Sequence, residues 1–129
     1  MNKILALVVF GLLISSCSKS SSDGDATIFK GVVGTYEGFY YQCEDSEMVL
    51  SDCSESYETS HEVVVASAES IVIKLDGSNE VTLFYENRNN NIFNFIDATG
   101  VAKLIYNMNE ESILYLPLQD NTVRFYGLK

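Results

Sequence analysis

Three cysteines, one histidine and a large excess of carboxylates are the side chains of this 129-residue chain that could react or ligate. Cys43 and Cys53 lie ten positions apart. Two thiols at that spacing can close a disulfide loop, or supply half of a four-ligand zinc site. His61, the single histidine, brings a zinc set to three at most, so no metal is expected there. No serine sits in a G-x-S-x-G elbow beside it. A close pair of carboxylates carries no argument for glycoside hydrolysis, because eighteen acidic residues make some such pair inevitable. The expectation is a protein that is not an enzyme and uses no cofactor.

The carboxylates are unevenly placed. Between Gly31 and Ile73 there is no Lys or Arg, yet Glu37, Glu44, Asp45, Glu47, Asp52, Glu55, Glu58, Glu62 and Glu69 all fall there. Calcium wants six to eight oxygens, but Glu44-Asp45-Ser46-Glu47 lacks the Asp/Asn alternation and the glycine of an EF-hand loop. The segment reads as a solvated loop or an acidic docking face. Between the two cysteines Met48, Val49 and Leu50 form an apolar tip. A crosslinked tip loses less freedom on binding, which makes the trio a candidate contact element. The competing reading folds it back as a cap on one end of the domain.

Cys17 belongs to a different pattern. Lys3 gives a positive start, Ile4 to Ile14 is apolar but too short to span a bilayer, and Ser15-Ser16 supplies small residues, as in a secretory signal. Ile14-Ser15-Ser16-Cys17 resembles the lipobox of bacterial lipoproteins. The resemblance implies cleavage before Cys17, diacylation of its thiol, and attachment to the membrane through that lipid. Ser18 follows where aspartate would often signal inner-membrane retention, so it further implies an outer-membrane lipoprotein, facing either the periplasm or the cell surface. Export places Cys43 and Cys53 in an oxidising compartment, and their disulfide is expected, stabilising the fold by about 3 kcal/mol. The organisation is then 1–16 signal peptide, 17–29 lipidated cysteine and flexible Ser-rich tether, and 30–129 a single β domain. Cleavage leaves 113 residues with seven basic side chains against eighteen acidic ones, a net charge of −11. Such a surface repels nucleic acid and anionic lipid headgroups. It suits a basic partner.

The elements that must position these groups are short strands. Ile28, Phe29, Val32 and Val33 allow a brief helical turn. After it, Gly34–Gln42, His61–Ala66, Ile71–Leu75, Val81–Glu86, Ile92–Ile96, Val101–Tyr106, Ile113–Leu116 and Thr122–Tyr126 are apolar or β-branched runs. Turn signals rich in Asn, Asp and Gly separate them, such as Asp76-Gly77-Ser78-Asn79 and Asn87-Arg88-Asn89-Asn90-Asn91. Loops this short leave no room for crossover helices, so the fold expected is all-β, an antiparallel up-and-down meander of about eight strands. It closes as a small barrel or folds as a barrel-like sandwich. Ile92-Phe93-Asn94-Phe95-Ile96 places phenylalanines on one face and isoleucines on the other, as though some strands were covered on both sides.

Gly34-Thr35-Tyr36-Glu37-Gly38, after the possible helical turn, is similar to the opening of lipocalin-type barrels, where a G-x-W is packed by an arginine of the last strand. That resemblance implies Tyr36 in the tryptophan's place and Arg124 as its partner. The same start, with Phe125-Tyr126-Gly127-Leu128-Lys129 at the end, also resembles small β-rich bacterial lipoproteins of unknown function. The function expected is a lipid-anchored, non-catalytic binding module at the cell envelope, its partner a protein or a small apolar ligand. The alternatives are a structural or accessory envelope lipoprotein, or an inhibitor of a host hydrolase, since periplasmic lysozyme inhibitors are likewise small exported β-barrels.

Overall fold

The computed structural model describes residues 29–129; Cys17, the signal segment and most of the tether lie outside them. Eight strands form a closed barrel in chain order: β1 (Gly34–Gln42), β2 (Ser54–Ser67), β3 (Ser70–Lys74), β4 (Glu80–Asn89), β5 (Ile92–Ile96), β6 (Lys103–Asn107), β7 (Ser112–Leu116) and β8 (Val123–Leu128). Every neighbouring pair is antiparallel, and β1 pairs with β8 to shut the cylinder. The architecture is a small lipocalin-like barrel, not a sandwich.

Period-two alternation decides which residues fill it. Tyr36, Val63, Ile71, Ile73, Leu83, Phe93, Phe95, Leu104, Tyr106, Ile113, Tyr115 and Phe125 point inward and form one core. Both phenylalanines of β5 are therefore internal, with Ile92 and Ile96 half-covered outside. In an eight-stranded barrel the interior is just wide enough for side chains to fill, and aromatic rings occupy it here.

One end, the base, is closed by the start of the domain. The amides of Val32 and Val33 donate to the Phe29 carbonyl, making a single turn. Phe29, the last residue of the expected tether, is instead core: it is 3% exposed and packs on Tyr85 and Phe95 at ring separations of 6.1 and 5.8 Å. The opposite end, the mouth, carries the loops 43–53, 75–79, 97–102 and 117–122.

The G-x-Y-x-G and F-x-G-x-K segments meet across the β1–β8 seam. Gly38 is directly opposite Gly127. A Cβ on Gly38 would run into the Tyr126 carbonyl oxygen and lie 2.7 Å from the Gly127 Cα, so no larger residue fits without parting the strands. Tyr36 is wholly buried, and its hydroxyl donates to the Val32 carbonyl at 2.7 Å. The cation over its ring is Lys129, at 5.9 Å, whose ammonium also donates to the Gly31 carbonyl. Arg124 is not Tyr36's partner. It has the opposite parity to Phe125, so it faces out of the barrel while Tyr36 faces in.

Two strands run well beyond their sequence patterns. β2 begins at Ser54, because Ser54, Glu55 and Tyr57 pair with Gln42, Tyr41 and Tyr40 of β1. β4 runs on to Asn89 past a bulge between Tyr85 and Asn87. The expected turn at 87–91 is thus reduced to its tip, where Asn90 takes a left-handed φ of 55° that asparagine tolerates.

Candidate functional site

The mouth gathers the sequence's candidate groups. Cys43 and Cys53 are joined, with Cα atoms 4.6 Å apart. The loop they close packs back on β8 through Arg124, which is only 7% exposed. Its Nη1 donates to the Met48 carbonyl at 2.6 Å, Nη2 to those of Ser46 and Asp45 at 3.1 and 3.3 Å, and Nε to that of Asn121 at 2.8 Å. A planar fork with five fixed donors suits a set of converging carbonyls. The Cys43 amide adds a bond to the Thr122 carbonyl at 2.7 Å. Asp45 shapes the loop from within, its Oδ1 accepting from the amides of Glu47 and Met48.

Of the apolar trio, only Val49 projects. It is 59% exposed, whereas Met48 and Leu50 are half-covered. The Met48 sulfur accepts from the Glu44 amide, and Leu50 opens a one-turn 3-10 helix ending at Asp52. The loop therefore lies against the barrel wall and displays one residue. Nothing in residue type alone pointed to Arg124 as the group that holds it; strand parity, which turns Arg124 to the outside, is the signal that could have.

His61 lies just inside the mouth at 2% exposure. Its Nε2 is 2.8 Å from the Tyr40 hydroxyl, its Nδ1 has no partner, and its ring packs on Phe125 at 4.7 Å. Tyr40 in turn stacks on the half-exposed Tyr57 at 4.9 Å. Burial lowers the His61 pKa from its ordinary 6.5, against the Asp76 carboxylate and the Lys74 main chain, which favour the proton. His61 is therefore a covered core histidine whose neutral form burial favours. Asp97 organises its own turn: burial works against its ionisation, but hydrogen bonds from the Thr99 hydroxyl and the Val101, Ala102 and Gly100 amides hold its carboxyl below the usual range.

The nine acids of the cation-free segment are spread over β1, the disulfide loop, β2 and, at Glu69, the turn between β2 and β3. Among the described residues no three carboxylate, histidine or cysteine groups converge as a metal site would require. Glu62 meets Lys74 at 3.7 Å in a half-exposed pair of small energetic weight.

Burial of phenols gives the barrel an alkaline limit. Tyr115 is pushed up to about 12, first by desolvation and then by Asp97, and Tyr36 and Tyr40 rise further, again chiefly by desolvation. The unfolded chain, titrating near 10, loses these protons first. The contribution of the three phenols is whole below pH 10 and is lost as pH rises through about 12 and beyond. His61 has the reverse sign: its contribution is whole above pH 6.5 and is lost as pH falls through the lowered folded value. Thermal melts across pH, with phenolate absorbance followed in parallel, should show both limbs. His61→Phe should remove the part of the acid limb that begins just below pH 6.5, leave the part below about 3.8 to which Asp97 contributes, and keep the alkaline limb, at a cost of about 1 kcal/mol for the bond to Tyr40. An unchanged acid limb would refute the assignment to His61.

Two shallow grooves lie on the outward face of β1 and β2. One, of about 470 Å3, is lined by Glu37, Phe39 and Glu58 among others. The second, of about 500 Å3, runs beside the disulfide loop between Tyr41, Leu50, Glu55 and Tyr126. The chain matches no known protein family, no curated protein and no solved structure.

Proposed function

We propose that this protein is a lipid-anchored lipoprotein of the cell envelope that acts as a non-catalytic binding module, presenting the mouth of its barrel to a protein partner. The supporting observation is the disulfide loop. It is fixed from one side by Cys43–Cys53 and from the other by Arg124, yet leaves Val49 projecting. Holding a loop in place while exposing an apolar residue lowers the ordering cost of association. The described chain enters the barrel at residue 29, at the base, so a tether from Cys17 joins the domain at the end opposite the docking mouth. The interior is occupied by aromatic rings, which favours a protein partner outside the barrel over a small ligand within it. The same observations favour a non-catalytic role: the two cysteines are bonded to each other and the histidine is covered.

The test has two arms in cells that lipidate the full chain. Cys17→Ser should release the protein from the membrane fraction; retention would overturn the anchor. A photo-crosslinking residue at Val49 should give an adduct of defined mass, and one at Met108, on an exposed turn at the base, should not. Equal yields at both positions, or none at Val49, would overturn the docking mouth.

A further inference from the structure

The two outer grooves follow one another along β1, the first beside Glu37 and Phe39 and the second beside Tyr41. Register places Glu37 opposite Ser60, Phe39 opposite Glu58 and Tyr41 opposite Glu55, all on the outward face. Across the seam Phe39 meets Tyr126. The result is a trough with aromatic walls, Phe39, Tyr41 and Tyr126, bordered by the exposed carboxylates Glu37, Glu55 and Glu58. It ends against Leu50 of the disulfide loop.

Among the described residues none of these three carboxylates is in an ion pair. No Lys or Arg occurs between Gly31 and Ile73, and Arg124, across the seam from Tyr41, directs its guanidinium to carbonyls under the loop. An aromatic face beside an unpaired carboxylate fits a guanidinium or ammonium, which takes the ring quadrupole and the charge together while its alkyl stem covers the ring. A second copy of this chain is disfavoured, because it would bring its own acidic face to the same trough.

We propose that this trough receives an extended segment of the partner protein carrying Arg or Lys at alternate positions, with Tyr41 and Glu55 as its central contacts. The proposal rests on the docking reading above and names the partner's chemistry. A closed barrel has no unpaired strand to offer, so the segment is held by side chains rather than as an added strand.

The probe is a pair of fluorescent, end-blocked hexapeptides, one alternating Arg with Leu and one alternating Glu with Leu, titrated into the full-length lipidated protein in neutral detergent. The arginine peptide should bind and the glutamate peptide should not. Raising ionic strength from about 0.01 to 0.15 M, which shortens the screening length from about 30 to 8 Å, should weaken binding severalfold. Glu55→Gln with Glu58→Gln should weaken it roughly tenfold, two surface pairs of up to about 1 kcal/mol each. Tyr41→Leu should also weaken it, whereas Glu80→Gln with Glu86→Gln, on exposed positions of β4, should not. Thermal melts check that each variant is folded. Absence of arginine-peptide binding, equal binding of both peptides, or equal loss from the β4 variant overturns the proposal, as does concentration-dependent self-association blocked by Glu55→Gln. If the Val49 crosslink persists unchanged in the Glu55→Gln, Glu58→Gln protein, the docking mouth stands and the cationic segment is refuted. If the peptide binds as described but Val49 gives no adduct, the reverse holds.

Discussion

Gly38→Ala should open the barrel. The added methyl carbon meets the Tyr126 carbonyl oxygen and the Gly127 Cα, both main-chain atoms that cannot rotate away. Overpacking of ordinary side chains costs about 1–3 kcal/mol. Here relief requires β1 and β8 to separate, and the loss should reach the top of that range or exceed it, out of the roughly 5–15 kcal/mol that stabilises a domain. Urea denaturation measures it. Gly31→Ala is the milder comparison, because its Cβ would meet only the end of the Tyr106 side chain, at 3.3 Å, and a shift of a few tenths of an ångström relieves that contact. A Gly38→Ala midpoint close to that of the native protein would refute the idea that this glycine pair permits closure.

Arg124→Ala should free the disulfide loop at a cost of about 3 kcal/mol, on the scale of a few charge-assisted hydrogen bonds that act together rather than additively. Arg124→Lys should not rescue it, since a single ammonium cannot reproduce a fork that meets the Met48, Ser46 and Asn121 carbonyls at once. Replacing Cys43 and Cys53 by serine should cost a similar amount, about 3 kcal/mol. The two changes should couple. Each releases the same segment, so together they should cost clearly less than their sum, whereas independent sites add. Chemical denaturation of the four proteins in the cycle gives the coupling energy, and limited proteolysis near Leu50 reports the released loop. Additivity would mean that Arg124 and the disulfide do not hold one unit.

Much of the barrel was legible because its core-facing residues alternate. The boundaries of β1 and β5 follow from aromatic runs set between Gly, Asn and Asp signals, and the antiparallel meander follows from short loops, which are compatible with a barrel and with a sandwich alike. The parts that were not legible have a common cause. Ser54–Ser56 is polar at both parities and Tyr57 is a lone aromatic, because β2 there passes beyond the packed core toward the mouth, and only its pairing with Tyr40, Tyr41 and Gln42 makes it a strand. Asn87–Asn89 likewise extends past the core, so its composition reads as a turn. Of the candidate site, the disulfide was legible from two thiols and a resemblance of residues 1–17 to an export signal. Its anchoring was not. The lipocalin comparison set Arg124 against Tyr36, but residues 125, 127 and 129 share the inward parity and 124 does not, so the pairing falls to Lys129.

The seam has a consequence for how the molecule is made. Seven of the eight ladders join strands that follow one another in the chain, and each can zip as a local hairpin. The eighth pairs Glu37 with Leu128, 91 residues later. Contacts between distant positions carry the largest loop-closure entropy and set the pace of folding in β-rich proteins. A chain delivered from its N-terminus can form the Cys43–Cys53 bond early, across ten positions. It cannot become a cylinder until its last strand arrives. Until then β1 waits as an open edge, and loss of the final few residues would leave it so.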